Sequence, residues 1–348
     1  MMSTYAKQDQ ISSELAVLHA ELRSRQFEPG WNRAGPPPMW SSPRTPFTQA
    51  QWRYADARQA LMRAEHLVDL EFAERRNLIM VNPTEGNLYP TSRALVLAYQ
   101  LVLPGERART HRHTPHAGRL VLEADEGAYT VVNGVQVPML PGDVLLTPSW
   151  SWHGHGNSGT KPAVWIDFLD VPLVHLLDPM FFEPHPDGWA EATTETRDTP
   201  ILFPYGETNA RLDAAEPDPS GCFGRRIELG SPALPTIGLY VHRFSAGTST
   251  APYRSTANYQ YCVIEGSGST VVDGVEHKWS RGDVIVVPCW SEHSHSASET
   301  ATVLAVTDEP LQRYCGYFRT SIDQGSIDQG SIDQGSLEQG PAALPGNG

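Results

Sequence analysis

The stretch that decides the fold is His111-Arg112-His113, followed by Pro141-Gly-Asp-Val-Leu-Leu-Thr-Pro-Ser-Trp-Ser-Trp-His-Gly-His-Gly-Asn157. On an extended strand, side chains alternate between two faces, so His111 and His113 point the same way. His153, near the end of the second stretch, can bring a third imidazole to the same ion from another strand. The pattern predicts an open metal site inside a β structure, with His111, His113 and His153 as ligands.

The same spacing occurs twice along the chain, which indicates an internal duplication. The motif positions of the first half are Gly105, His111, Asp143, Pro148 and His153. The corresponding positions of the second half are Gly247, Tyr253, Asp283, Pro288 and His293. Tyr253 and Ser255 stand where the first half has His111 and His113, so we expect two similar β units of which only the first holds a metal.

Composition and patterning predict five segments and two N-terminal helices. Ile11, Leu15, Leu18 and Leu22 lie on one face of the first helix, and Thr48 is the expected cap of a second helix through Trp52, Leu61 and Leu67. The expected segments are a helical arm with a Pro- and Trp-rich loop (1–85), a first barrel (86–175), a connector (176–235), a second barrel (236–318) and a disordered tail of SIDQG repeats (319–348).

Charge and cysteine content exclude several classes of partner. Forty acidic against 26 basic side chains give a formal net charge of −14, which argues against binding nucleic acid or an anionic membrane. No apolar run approaches the ~20 residues that span a bilayer. The amino terminus lacks the pattern of a secretion signal. The four cysteines are scattered, so we expect reduced thiols and a cytoplasmic location.

These motifs resemble those of the cupins, and more closely the bicupin ring-cleaving dioxygenases similar to gentisate 1,2-dioxygenase. The segments that carry the resemblance are 52–76, 111–114, 126–134, 141–157 and 164–174. The resemblance implies a mainly β bicupin, with two double-stranded β-helix (jelly-roll) barrels and N-terminal helices. It also implies one ferrous ion per chain in the first barrel, O2 and a small aromatic hydroxy acid as substrates, and a homotetramer.

The donor set has no carboxylate. The usual cupin glutamate would follow the second histidine by four or five residues, where this chain has Ala117 and Gly118. Three neutral ligands on one face leave three open positions, which suits an Fe(II) oxygenase. Zn or Mn would bind such a set too, so the sequence alone does not fix the metal.

Two further residues are expected beside the metal ligands. Arg119 lies six residues beyond His113 and has the same parity, so it can point inward. A buried guanidinium needs a partner, and the resemblance implies that Arg119 binds the substrate carboxylate. His155 has the parity of His153, and the resemblance implies that it acts on substrate or oxygen as an acid, base or positioning group. A histidine at the rim of the site is the alternative.

The resemblance implies roles for three more residues. Arg75, in the segment that matches the family, is expected to bind substrate. Gln100 is a polar break in an apolar strand and matches a substrate-contacting position; a hydrogen-bonded core glutamine is the alternative. Asp167 is expected to orient a histidine ring, with a salt bridge as the alternative.

The function implied is that of a non-haem iron, extradiol-type 1,2-dioxygenase. It would insert O2 between the carboxyl-bearing and hydroxyl-bearing carbons of a salicylate-type acid. Pro115, His116 and Gly118 depart from the gentisate enzymes, which favours a salicylate with another group at C5, such as 5-nitrosalicylate, over gentisate. The alternatives are a non-catalytic metal-binding bicupin (storage or sensor) and a cupin isomerase or oxygenase acting on a non-aromatic substrate.

Overall fold

The computed structural model of the chain describes residues 4–32, 39–65, 67–68, 75–322 and 326–328. It divides into two units, Met1–Arg44 and Thr45–Gly348. The described helices are α1 (Thr4–Ser24), α2 (Tyr54–Ala64), α3 (Val171–Leu177), α4 (Tyr205–Ala214) and α5 (Glu309–Tyr314). None of these described helices has the length and apolar character required to cross a membrane.

Strands dominate the second unit. The strands up to the connector are β1 (Ala50–Trp52), β2 (Arg76–Ile79), β3 (Val96–Val102), β4 (Arg107–His113), β5 (Ala117–Glu123), β6 (Ala128–Val132), β7 (Val135–Pro138), β8 (Val144–Thr147), β9 (His153–Asn157), β10 (Ala163–Leu169), β11 (Phe182–Pro184), β12 (Thr194–Glu195) and β13 (Leu202–Phe203). The remaining strands are β14 (Arg225–Glu228), β15 (Gly238–Phe244), β16 (Tyr253–Ser255), β17 (Tyr259–Glu265), β18 (Ser267–Val272), β19 (Val275–Ser280), β20 (Val284–Val287), β21 (His293–Ala297), β22 (Ala301–Thr307), β23 (Thr320–Ile322) and β24 (Ser326–Asp328).

Four six-stranded sheets form the two barrels, which confirms the predicted bicupin fold. The first barrel consists of the sheets β13-β8-β5-β10-β3-β2 and β11-β4-β9-β6-β7-β12. The second consists of β1-β20-β17-β22-β15-β14 and β19-β18-β21-β16-β23-β24. Each barrel is one of the duplicated units that the repeated spacing predicts.

The largest apolar core lies between the two barrels. Alternate residues of β3 and β10, such as Leu97 and Ile166, pack in one cluster with Leu239 and Leu304 from the second barrel. The intervening residues face the barrel interiors, because side chains alternate along a strand. Trp165 accordingly belongs to a separate cluster inside the first barrel.

Each barrel receives an edge strand and a helix from the segment that precedes the other barrel. Strand β1 pairs with β20 of the second barrel, and β13 pairs with β8 of the first. The carboxylate of Asp283 accepts the backbone N–H of Tyr54 at 2.8 Å, and that of Asp143 accepts the N–H of Tyr205 at 3.0 Å. An aspartate oxygen satisfies an unpaired N–H at a helix start. The duplication therefore extends beyond the barrels to the helices before them.

This exchange corrects the prediction for the second helix. Helix α2 begins at Tyr54 rather than after Thr48, and Trp52 lies in strand β1. The group that caps α2 is Asp283, which lies more than two hundred residues after Tyr54 in the chain. The sequence around Thr48 therefore could not indicate where the helix begins.

The predicted connector is part of the barrels' walls. Strands β11, β12 and β13 lie within 176–235 and extend both sheets of the first barrel, while β14 extends the second. In the segment predicted to be a disordered tail, β23 and β24 extend a sheet of the second barrel. The tail residues 323–325 and 329–348 lie outside the described part of the chain.

Candidate active site

Three histidines converge inside the first barrel. One imidazole nitrogen from each of His111, His113 and His153 lies within 4.8 Å of the other two. Strand β4 carries the first two and β9 the third, and the register places His111 directly opposite His153. All three are buried. The sequence prediction that these side chains come together is therefore confirmed in the geometry, and the cluster can hold a metal ion.

The backbone fixes which nitrogen of each ring is free. Nδ1 of His113 contacts the carbonyl of Pro115 at 2.8 Å, and Nδ1 of His153 contacts that of Ser151 at 2.9 Å. Nδ1 of His111 makes a longer contact of 3.3 Å with the carbonyl of Arg109. A carbonyl oxygen only accepts, so each Nδ1 carries the proton and each Nε2 keeps a lone pair for a metal.

The surroundings also keep the three rings neutral. Burial and, after it, the positive charge of Arg75 lower the pKa of His111 to about 3. Burial lowers the pKa of His113 as well, and that of His153 well below its ordinary value. A metal ligand must be the unprotonated imidazole, so this site is ready to bind a cation at neutral pH.

Arg119 lies beside the cluster, but its charge already has a partner. Its side chain is 1% exposed, and its Nε lies 3.4 Å from the carboxylate of Asp167. Its Nη1 donates to the hydroxyl of Thr130 at 2.8 Å and its Nη2 to that of Thr147 at 2.9 Å. Asp167 thus supplies the anion that the sequence analysis expected from substrate.

Arg119 also sets the state of His155. Its Nη1 lies 3.2 Å from Nδ1 of His155, and a guanidinium can only donate, so this nitrogen accepts. The proton of the neutral ring is therefore on Nε2, which is buried and has no partner among the described residues. Burial and the charge of Arg119 lower the pKa of His155 well below its ordinary value. His155 offers one free N–H donor next to the metal ligands.

Arg75 is the cation without a partner in this region. Its Nη1 is buried and makes no hydrogen bond within the part of the chain that the structure describes. Burial is the main cause that lowers the pKa of His111, His113 and His155, and the positive charge of Arg75 lowers all three as well. Its guanidinium therefore lies near all three rings. Its neighbour Arg76 differs, because it is bonded twice to Glu106, at 2.8 and 2.9 Å.

The structure places Gln100 and Asp167 on adjacent strands of one sheet. Gln100 is buried, and its Oε1 has no hydrogen-bond donor among the described residues. Asp167 accepts from the indole N–H of Trp165 at 2.8 Å and pairs with Arg119. The prediction that Asp167 orients a histidine ring is wrong as a direct contact among the described residues. Backbone carbonyls hold Nδ1 of the three clustered histidines, and Arg119 donates to that of His155. Its role as an ion-pair partner, the alternative, is the one observed.

Comparisons with known proteins agree with this geometry. The chain is 34% identical over 346 residues to a 5-aminosalicylate 1,2-dioxygenase from Comamonas sp., an alignment covering 89% of this chain and 91% of the relative. It is 31% identical to gentisate 1,2 dioxygenase 1 from Aquipseudomonas alcaligenes, with 91% of this chain and 99% of the relative covered. The chain belongs to the gentisate- and salicylate-type 1,2-dioxygenase family. Residues 98–171 match the cupin domain.

The fold of this family member also matches a solved structure. The salicylate 1,2-dioxygenase from Pseudaminobacter salicylatoxidans superimposes with a TM-score of 0.79 at 28% identity, covering 89% of this chain and 98% of that chain. These comparisons confirm the family that the sequence motifs resemble.

Sequence reasoning missed the contribution of the connector to the site. Strand β11 pairs with β4, so that Phe182 lies opposite His113. The ring of Phe182 lies 5.0 Å, centroid to centroid, from that of His111 and covers one side of the cluster. Thr130 and Thr147, which hold Arg119, were missed as well. Spacing along the chain gives no signal for either, because the contacts arise from strand pairing.

The Arg119–Asp167 pair leads to a prediction about stability. Changing Arg119 to glutamine leaves the buried carboxylate of Asp167 without its cation, and we expect the free energy of unfolding to fall by about 3–5 kcal/mol. The double variant Arg119→Gln/Asp167→Asn should recover part of that loss, measured by urea denaturation of the metal-free protein. Equal losses in the single and double variants would contradict the pairing.

The second barrel of this family member contains more histidines than its motif suggested. His242, His293 and His295 are all buried there. Nε2 of His293 lies 2.7 Å from the hydroxyl of Tyr261, so that nitrogen is already engaged. Within the described ranges, only the His111, His113 and His153 group brings three potential ligand atoms this close.

These histidines should make stability depend on pH. Burial lowers the pKa of His242 to about 3 and that of His293 to about 4. Above the unfolded value of about 6.5 neither state is protonated; below it only the unfolded chain takes up protons, so stability falls as the pH falls. In the variant His242→Gln, the unfolding free energy should fall less steeply between pH 6 and 4, with a slope smaller by about 1.4 kcal/mol per pH unit. Urea titrations across this range measure the slope, and an unchanged slope would refute the assignment.

Proposed function

We propose that this chain is an Fe(II)-dependent, ring-cleaving 1,2-dioxygenase of salicylate-type aromatic acids. One ferrous ion per chain would be held in the first barrel by His111, His113 and His153. The observation that carries the proposal is the convergence of three imidazole rings. Each ring has its Nδ1 against a backbone carbonyl, so its Nε2 is left for the metal. Two donors without an acceptor among the described residues, Nη1 of Arg75 and Nε2 of His155, lie beside them.

The donor set fits iron. Three neutral imidazoles would hold the ion, and a three-ligand set without a carboxylate would leave positions for oxygen ligands from outside. When bound, Fe(II) would supply open positions for the substrate's oxygens and for O2, and a redox path between them, with the ring as the net electron donor.

The side chains around the metal ligands would bind and orient the substrate. Arg75 is the proposed partner of the carboxylate, since its guanidinium has unused donors and a planar fork matches a carboxylate. Arg119 retains one Nη2–H and would add a second contact, although most of its donors hold the site together. Gln100 would accept a hydrogen bond from a ring substituent through its Oε1, which has no donor among the described residues.

His155 would donate its Nε2–H to an oxygen of the reacting substrate. Arg119 prevents the ring from presenting an acceptor there, because it donates to Nδ1. The rings of Trp165 and Phe182 supply apolar walls, at centroid distances of 5.2 Å from His155 and 5.0 Å from His111. Removing water strengthens the polar contacts in such a site.

The substrate class we propose is a salicylate with a polar group at C5. The relative from Comamonas sp. is named for 5-aminosalicylate, and one from Bradyrhizobium sp. for 5-nitrosalicylic acid. The salicylate enzyme from Pseudaminobacter salicylatoxidans also forms adducts with gentisate, which carries a 5-hydroxyl group. Relatives of this chain therefore accept several C5 groups.

Oxygen uptake tests this function directly. The purified chain is loaded with Fe(II) without oxygen and then mixed with O2 and gentisate, salicylate, 5-aminosalicylate or 5-nitrosalicylate. We expect one O2 consumed per ring opened, with both atoms of ¹⁸O2 in the product by mass spectrometry. Loading with Zn(II) is the control, because Zn(II) fits the same ligands and has no redox chemistry. No uptake with any of the four acids would exclude the proposal.

A further inference from the structure

An open cleft lies against the second barrel, away from the three-histidine cluster. Its volume is about 920 Å³, and its lining includes Arg226, Tyr240, Glu309 and Arg313 together with apolar side chains such as Pro235 and Leu311. None of these residues has a part in the proposed dioxygenase chemistry.

The duplication relates this cleft to the first barrel. Arg226 of β14 pairs with His242 of β15, just as Asn77 of β2 pairs with Gln100 of β3. Helix α5 follows the last barrel strand β22, as α3 follows β10. The cleft is thus the second barrel's counterpart of the region that carries Asn77 and Gln100 in the first.

The plane of the Arg226 guanidinium stacks against aromatic rings in the cleft, whereas its Nε–H group makes no hydrogen bond among the described residues. Its guanidinium carbon lies 3.7 Å from the ring centroid of Tyr240 and 4.4 Å from that of Phe223. Its Nε is buried without a hydrogen-bond acceptor among the described residues. The nearest carboxylate oxygen, on Glu309, is 3.8 Å from Nη2, which is beyond hydrogen-bond distance.

Glu309 lies within ion-pair distance of Arg226, but its hydrogen bonds go to other partners. Its oxygens accept from the hydroxyl of Tyr259 at 2.7 Å, from Nε of Arg313 at 2.7 Å and from the hydroxyl of Tyr240 at 3.2 Å. Glu228 also lines the cleft, and burial together with the charge of Glu309 raises its pKa. Among the described residues, Nε of Arg226 is therefore left as a donor without a hydrogen-bond acceptor.

A guanidinium stacked on aromatic rings with free N–H edges is suited to a carboxylate, and proline and tyrosine walls are suited to a flat ring. We propose that the second barrel binds a small aromatic carboxylate at Arg226, as a site separate from the metal cluster. Tyr253 and Ser255 replace the metal-binding pair there, so the ligand is bound and not converted. This inference does not depend on the proposed dioxygenase activity.

Calorimetric titration with benzoate tests the site, since benzoate carries the carboxylate and ring but has no phenol oxygen with which to chelate a metal. The full chain is used without oxygen, with and without Fe(II), in the Arg75→Gln variant so that the first barrel's carboxylate partner is absent. We expect one benzoate per chain in both metal states. Adding Arg226→Gln should weaken binding at least about tenfold, as expected for a lost charge-assisted pair.

The control is Arg254→Gln, which removes a second-barrel arginine that pairs with Glu292 and does not line the cleft; it should leave the affinity unchanged. Pro235→Trp, which fills the rim of the cleft, should weaken binding and decides the matter if Arg226→Gln fails to fold. Absence of benzoate binding, or equal affinity with and without Arg226, would overturn the proposal.

Discussion

Replacing His153 with alanine is expected to abolish metal binding and oxygen consumption together. The three ring nitrogens form the one such group among the described residues, so removing His153 leaves two imidazoles without a third ligand atom as close to both. Metal catalysis of this kind contributes several kcal/mol, and each 1.36 kcal/mol is a factor of ten in rate, so turnover should fall by about 1,000-fold or more. Metal content by mass spectrometry and O2 uptake measure the two losses.

The duplication supplies a matched control for this variant. His293 occupies the position of His153 in the second barrel and is buried to a similar degree. His293→Ala removes the same atoms from an equivalent strand, and we expect it to leave the iron content at one per chain. If His293→Ala lowered the iron content as His153→Ala does, the assignment of the metal to the first barrel would be wrong.

Changing Arg75 to glutamine is expected to lower kcat/KM by about 30-fold or more. Truncating one partner of a desolvated charge pair costs about 2–5 kcal/mol, and the partner we propose for Arg75 is the substrate carboxylate. Because Nη1 of Arg75 has no protein partner among the described residues, the free energy of unfolding should stay nearly constant. Steady-state kinetics and urea denaturation measure the two quantities.

Arg76, the neighbouring residue, is a control that distinguishes a loss of substrate binding from a loss of stability. Arg76 is buried and bonded twice to Glu106, so Arg76→Gln should cost about 3–5 kcal/mol of stability while the folded fraction keeps its kcat/KM. Should Arg75→Gln instead destabilise the chain and leave kcat/KM unchanged, Arg75 would be a structural residue and the carboxylate would need another partner.

Much of the metal site could be predicted from spacing alone. His111 and His113 share a face because a strand has a period of two, and the repeat in the second half located the barrel pair. The same parity argument placed Arg119 and His155 inside the barrel. These predictions succeeded because they rest on local geometry, which the backbone imposes wherever the strand lies.

The partners of those residues could not be predicted in the same way. Arg119 looked like the natural partner of a substrate carboxylate, but Asp167, on the paired strand β10, already balances its charge. Arg75 was the weaker candidate, and the fold leaves it with an unused donor. Helix α2 takes its cap from Asp283 of the other barrel. Each outcome depends on which strands lie side by side.

The sequence by itself determined the duplicated β architecture, the three histidines and the loss of two of them in the second half, because strand periodicity and motif spacing are local properties. Only the tertiary structure decided which charges are neutralised within the protein and which remain free for a ligand. Strand register sets the distances between charges far apart in the chain, and burial makes those distances decisive. Arg75 and Arg226 are two of the arginines that this packing leaves, among the described residues, with an unused donor beside a cluster or cleft.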